Sequence, residues 1–183
     1  MVDYRRKADE IREAAKLMHL KVLVWGPGDP GRRASADSKK AYQKRLQIKQ
    51  EIKGAFPRSE VHFSEDKEMV DLAKGLHGQL RKEAFQAIAS DLVIMLDLGR
   101  GVDLELDHFL PTYSWFPPKV FLLLPRKYVN SKGLVKEVYD HLKPDQIGGF
   151  TPRQFDKCHV ATCMALDAAL AYAFDKLARG IID

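Results

Sequence analysis

Residues 90–109, SDLVIMLDLGRGVDLELDHF, set Asp97, Asp103, Glu105 and Asp107 just beyond an apolar run, Leu92–Leu96. An apolar run of that length is a strand buried on both faces, and the carboxylates fall where the chain leaves the core. A carboxylate in such a position can stabilise an oxocarbenium-like centre, attack it as a nucleophile, or hold ribose hydroxyls. Glu105 is the residue best placed for that work, about one turn into a helix that should begin near Gly101. The plainer alternative is a first-turn glutamate favoured by the helix dipole. Asp97, at the strand end, is either a turn-forming residue or a ligand for a sugar hydroxyl. Asp103 and Asp107 read as solvated partners of the dipole, and Asp91 as the polar boundary of the preceding helix.

A second candidate feature is GPGDPG, residues 26–31. Gly26, Gly28 and Gly31 satisfy G-x-G-x-x-G, but Pro27 and Pro30 interrupt the helix start that a dinucleotide fold places there. No acidic residue stands about twenty positions on, at the end of the second strand; Glu65 and Asp66 come later. A nicotinamide-dehydrogenase fingerprint is therefore not expected. Two readings stay open: a tight turn fixed by prolines, or a rigid, side-chain-poor loop that lets a nucleotide approach the backbone. In the second, Arg32 and Arg33 lie near its phosphates.

Three further groups complete the inventory. Tyr113, Trp115 and Phe116 precede the fourth strand and either stack on a base or nicotinamide ring or pack over the sheet edge. Arg126, Lys127 and Tyr128 follow that strand, at the end where the acidic residues lie. Cys158, His159 and Cys163 lack the second ligand pair of a zinc site, so no metal is expected.

These residues need elements to position them. Asp3 caps a helix over 4–18 with Ala8, Ile11, Ala15 and Met18 on one face. A strand follows at 21–25. Ser35 or Asp37 caps a helix that ends at Gly54, with Tyr42, Leu46 and Ile52 along one face. A strand at 60–63 leads to one long helix over 67–89, its face formed by Met69, Leu72, Leu76, Leu80 and Phe85 and extended by Ala84 and Ala87. After the strand at 92–96 come a helix from Gly101, a strand at 119–124, a helix over 131–142, a loop at 143–152 and a last, Ala-rich helix over 154–179.

Short apolar strands alternating with helices imply an α/β fold with a parallel sheet of four or five strands, covered on both faces. Right-handed crossovers then give a flavodoxin-like order, about 2-1-3-4(-5). The order reverses between strands one and three, where such sheets bind ligands. The acidic stretch and GPGDPG meet at that point.

Length and composition agree with one globular domain: 183 residues, 45% hydrophobic and 30% charged. The expected division is an N-terminal helix (1–19), a core (20–125) that would be the nucleotide-binding part, and a C-terminal helical part (126–183). The apolar runs are too short to cross a bilayer, the charged N-terminus has no apolar secretory segment, and two cysteines make no disulfide framework. A cytoplasmic protein with no membrane partner is the expectation. Residues 1–50 carry thirteen Lys and Arg against six Asp and Glu, and the remainder seventeen against nineteen. That basic half suits phosphates or a solvated helix surface; a polynucleotide partner is not expected. Small residues along the last helix suit core packing first and a homo-oligomer second.

KVLVWGPG, VHFSED and IASDLVIMLDLGRGVDLELDHF, in that order and spacing, resemble the nucleoside 2-deoxyribosyltransferase-like and TIR-like superfamily, over roughly residues 20–125. The resemblance implies cleavage or exchange of an N-glycosidic bond in a nucleotide or nucleoside, NAD among them, as substrate and with no cofactor. It places the catalytic glutamate at Glu105 and the Gly-Pro turn at Gly26 and Pro27. Gly26, Pro27, Gly28, Gly99 and Gly101 would shape the pocket, with Arg32 on phosphate, Asp97 on sugar hydroxyls and Trp115 on a ring. Deoxyribosyltransferases commonly read D-x-G-T-x-x-E; this chain has Gly99 and Val102 in place of the aspartate and threonine. TIR domains often carry an aromatic-Cys pair where this chain has Val102 and Asp103. Those departures motivate the alternative, a non-catalytic nucleotide-sensing module that signals by oligomerisation.

Overall fold

The computed structural model describes residues 4–98, 100–129, 140–157 and 160–180, without the side chains of 100–105, 156 and 157. Five strands, β1 (Lys21–Trp25), β2 (Glu60–His62), β3 (Leu92–Leu96), β4 (Val120–Pro125) and β5 (Ile147–Phe150), form one sheet in the order β2-β1-β3-β4-β5. Every pairing is parallel. The flavodoxin-like α/β/α architecture read from the sequence is the one observed, with the fifth strand present.

Period-two alternation sends each central strand to both faces. Val22, Val24, Ile94, Leu96 and Leu123 enter one core layer, with Ile48 and Ile52 of α2 (Ala36–Ala55) and four alanines of the last helix. Leu23, Trp25, Val93, Met95 and Leu122 enter the other, with residues of α4 (Gln79–Ile88) and α5 (Arg100–Thr112). Ile48 and Ile52 are wholly buried, each contributing about 1.5–3 kcal/mol by removal from water. Outside the sheet, α1 (Tyr4–Lys16) packs on the first face. Its buried residues are Ala15 and, just past its end, Met18, while Ile11 is 43% exposed. The capping residue proposed for it, Asp3, lies outside the described residues.

Ser35 is the N-cap of α2: its Oγ accepts from the Ser38 backbone N–H at 3.2 Å. The face of α2 differs from the expected one. Ala41, Arg45, Ile48 and Ile52 are buried, and Tyr42 and Leu46 flank them. The core stripe contains an arginine, so following apolar residues alone set the phase one position off.

The single helix expected over 67–89 is two, α3 (Lys67–Leu72) and α4. Gly75 and Gly78 between them both hold φ +87°, a conformation that interrupts a right-handed helix and suits glycine. The break resets the helical phase. Leu80 and Phe85 are therefore exposed, while Glu83, Ala84, Gln86 and Ala87 turn inward; Leu72, before the break, is exposed as well.

The segment 143–152, expected as a loop, contains a short 3-10 turn (Pro144–Gln146) and β5. A Cβ on Gly148 would lie 2.8 Å from Leu123 Cδ2 and 3.0 Å from Met164 Sδ. That glycine answers a close approach of β5 to its neighbours, which in sequence looks the same as a turn signal. The helix expected over 131–142 lies largely outside the described residues. Between them, α6 (Arg126–Val129) follows β4, and α7 (Pro152–Lys157) and α8 (Val160–Ala178) follow β5. Thr151 and Gln154 form a reciprocal cap at the start of α7, each side chain accepting from the other's backbone N–H. Cys158 and His159 lie outside the described residues. In α8, Ala161, Ala165, Ala169 and Ala173 have no exposed surface. That small-residue stripe is spent inside the fold, where it brings the helix close to the sheet.

Candidate functional site

The strand order reverses between β1 and β3, and the two carboxyl ends there are Trp25–Gly26 and Leu96–Asp97. Gly26 has φ +155°, and a Cβ on it would meet Leu96 Cβ at 3.1 Å and Leu96 O at 3.3 Å. The backbone of the turn thus lies directly on the end of β3, with room there for glycine alone. Asp97 continues from the end of β3, half-buried, with its N–H donating to Leu123 O at 2.8 Å.

Arg45 holds the turn in place. Its side chain is 1% exposed. Nε and Nη2 donate to Val24 O at 3.1 and 2.9 Å, and Nη1 reaches Pro27 O at 3.3 Å. The guanidinium also lies 4.1 Å from the centre of the Phe63 ring. Glu65, just past the end of β2, receives Nη1 on Oε1 at 2.6 Å and Nη2 on Oε2 at 2.9 Å. A fork-to-fork pair of this kind compensates a cation that burial alone would make costly.

One turn along α2, Lys49 repeats the arrangement. Its ammonium lies 4.4 Å from the Phe63 ring centre and pairs with Asp66. Burial pushes the Asp66 carboxyl up. The Lys49 hydrogen bond, the Phe63 N–H and the charges of Lys49 and His62 outweigh it, so the group sits below its ordinary range. Two of the cations in the basic first fifty residues are therefore occupied by internal carboxylates. Glu65 and Asp66 stand just past the end of the second strand, and the 20-residue α2 is what sets them so far along the chain from the glycine turn.

The expected site residues fall into four groups. Gly26, Pro27, Gly28 and Asp97 are brought to the carboxyl ends of β1 and β3, with Gly28 facing Glu65: a Cβ there would have Glu65 Oε1 4.0 Å away. Arg32 lies farther along an exposed turn closed by Asp29 Oδ1 accepting from the Gly31 N–H at 2.9 Å, and its carbonyl accepts from Lys39 Nζ. Trp115 is not brought to the crevice. It precedes β4, packs on Tyr113 and Phe116, and lies 5.5 Å from Lys119 Nζ. That ammonium donates to the carbonyls of Ala87, Ile88 and Ser90. Those carbonyls mark the amino end of β3, the opposite end of the sheet, and there the aromatics pack over the second core layer.

Gly99 lies outside the described residues, as does the side chain of Glu105; of Gly101 only its place in α5 is described. The backbone places Glu105 sixth in α5, one position before the buried Leu106 and four before the buried Phe109. Arg126, Lys127 and Tyr128 follow the carboxyl end of β4 on α6, with Arg126 against Gly149 of β5.

Sequence reasoning missed Arg45 and set Glu65 aside. The usable signal was the 41–45–48–52 spacing, a core stripe with one cation in it, followed after the next strand by adjacent carboxylates. Among the described residues no group of His, Cys, Asp and Glu is arranged to hold a metal ion. No described helix is long and apolar enough to cross a membrane. No family model matches this chain, and neither does any curated protein.

Proposed function

We propose that the chain binds a nucleotide or nucleoside at the carboxyl ends of β1 and β3 and hydrolyses or exchanges its N-glycosidic bond. The observation that carries this reading is the glycine turn at the reversal point: Gly26 packed on the end of β3, with buried Arg45 donating to the carbonyls of Val24 and Pro27 on either side of it. A fixed turn at the reversal point of a parallel sheet is where such folds take a sugar or phosphate. The superfamily resemblance supplies the chemistry. Glu105 is the catalytic carboxylate in this scheme, attacking or electrostatically stabilising the anomeric carbon while the C–N bond breaks and its electron pair leaves with the base. Water or a second base then takes the sugar. Asp97 holds sugar hydroxyls.

A second reading has the same ligand bound without turnover, in a nucleotide-sensing module that signals by oligomerisation. Gly99 and Val102, where deoxyribosyltransferases carry aspartate and threonine, favour it. Incubation with NAD and a panel of nucleosides and nucleotides, with released base measured by chromatography, separates the two. Base release abolished by Glu105→Gln supports the enzyme. Binding with no release supports the sensor, and neither binding nor release ends both.

A further inference from the structure

The Glu65 carboxylate is not fully used by its partners. A carboxylate has four acceptor sites. Oε2 receives Arg45 Nη2 and, at 3.2 Å, Ser64 Oγ; among the described residues Oε1 receives only Arg45 Nη1. One site on Oε1 is left, on a side chain that is 46% exposed and that Gly28 faces.

From Glu65 a cleft of about 500 Å³ runs between α3 and α4, within the size range of small-molecule sites. Ser64, Asp71, Lys74, Lys82 and Gln86 help line it. With Glu65 offset by Arg45, the remaining lining charges are two lysines against one aspartate. Gln86, 4% exposed, donates through Nε2 to Ser64 O and Met69 O, both at 3.0 Å. Both partners only accept, so the amide orientation is fixed. Its Oε1 then has no hydrogen-bond partner among the described residues. Buried acceptors are rarely left so.

We propose that Glu65 selects the ligand's sugar: Oε1 accepts a hydrogen bond from a ribose hydroxyl, and the cleft beyond it takes a phosphate against Lys74 and Lys82. The ligand class is a ribonucleoside phosphate. This rests on the nucleotide reading above and adds a positioning residue, independent of the bond-breaking chemistry. The sugar contact follows the logic of doubly wound sheets, in which an acid past the second strand holds ribose; the phosphate here lies on the cleft side of that acid, away from the glycine turn. Arg45 fixes the acid against the turn, since one guanidinium binds Pro27 O and Glu65 together.

The test is calorimetric titration of the Glu105→Gln chain, chosen so that no turnover intervenes. Each of the four ribonucleoside 5′-monophosphates is compared with its 2′,3′-dideoxy counterpart, with and without Glu65→Gln. A hydrogen bond to a charged acceptor predicts that the ribonucleotide binds about tenfold or more tightly than the dideoxy form. That ratio should fall several-fold in Glu65→Gln. A ratio unchanged by Glu65→Gln overturns the assignment while leaving nucleotide binding standing. Binding of none of the eight probes overturns the nucleotide reading and this inference with it. Ribonucleotide binding without base release by the wild-type chain removes the glycosidase chemistry and leaves Glu65 in place.

Lys74→Ala and Lys82→Ala change exposed positions and keep the proposal testable should Glu65→Gln unfold. Together they should erase a preference for the monophosphate over the nucleoside. A preference that survives both overturns the phosphate half of the proposal.

Discussion

Arg45 and Glu65 are unequally buried, 1% against 46% exposed at the side chain, and this gives the two truncations different consequences. Glu65→Ala strands a cation inside the fold. Breaking a buried pair from one side costs about 3–5 kcal/mol. Here Val24 O, Pro27 O and the Phe63 ring stay in contact with the guanidinium, and water can enter where Glu65 was, so about 2–3 kcal/mol is expected. For a chain of this size that lowers Tm by about 4–12 °C. Arg45→Met removes the charge while keeping most of the volume. In that background Glu65 is only a surface carboxylate, and Glu65→Ala should cost less than about 1 kcal/mol. The measurement is a double-mutant cycle in urea followed by circular dichroism, with m unchanged across the four proteins. A Glu65→Ala cost equal in both backgrounds, within about 0.5 kcal/mol, would falsify the claim that this pair tethers the turn.

Three further predictions concern other parts of the molecule. Gly26→Ala should lose about 1–2 kcal/mol and Gly148→Ala at least as much, because the added carbons meet Leu96 Cβ at 3.1 Å and Leu123 Cδ2 at 2.8 Å; urea midpoints unchanged from wild type would contradict this. Asp66 has a folded pKa below its ordinary 3.8, so its stabilising contribution is complete above that value and disappears as pH falls through the folded one. Acid titration of stability should therefore be flatter for Asp66→Asn than for wild type, and parallel curves would count against the pairing with Lys49. Trp115→Phe, at the amino end of the sheet, should leave nucleotide affinity and base release unchanged; a selective loss of either would show that the indole reaches the ligand.

The strands were the most legible part of the chain. KVLVW and LVIML are continuous apolar runs because both faces of the sheet are covered, and their limits in sequence are those in the fold. The cap at Ser35 was readable for a local reason, a hydroxyl placed before a helical pattern. Failures came where a residue type has two physical uses. Glycine breaks α3 from α4 in one place and admits a close neighbour to β5 in another, and neither use announces itself. Arg45 occupies a core position because its partners, Val24, Pro27 and Glu65, come from two other segments, which no local window contains. At the site, the glycine turn and Asp97 follow from strand order alone. Glu65 was set aside for its distance in sequence from the turn, and its nearness to Gly28 shows only once Arg45 is seen to join the two.

The alanine ladder of α8 has a consequence for synthesis on the ribosome. Ile94 and Leu96 of β3 and Leu123 of β4 share their core layer with α8, which packs on both strands. Until α8 has left the exit tunnel, a greasy strip across these two strands lacks part of its cover, and this layer of the fold cannot close. Nascent chains halted before residue 160 should bind holdase chaperones, and release should coincide with emergence of the final turns.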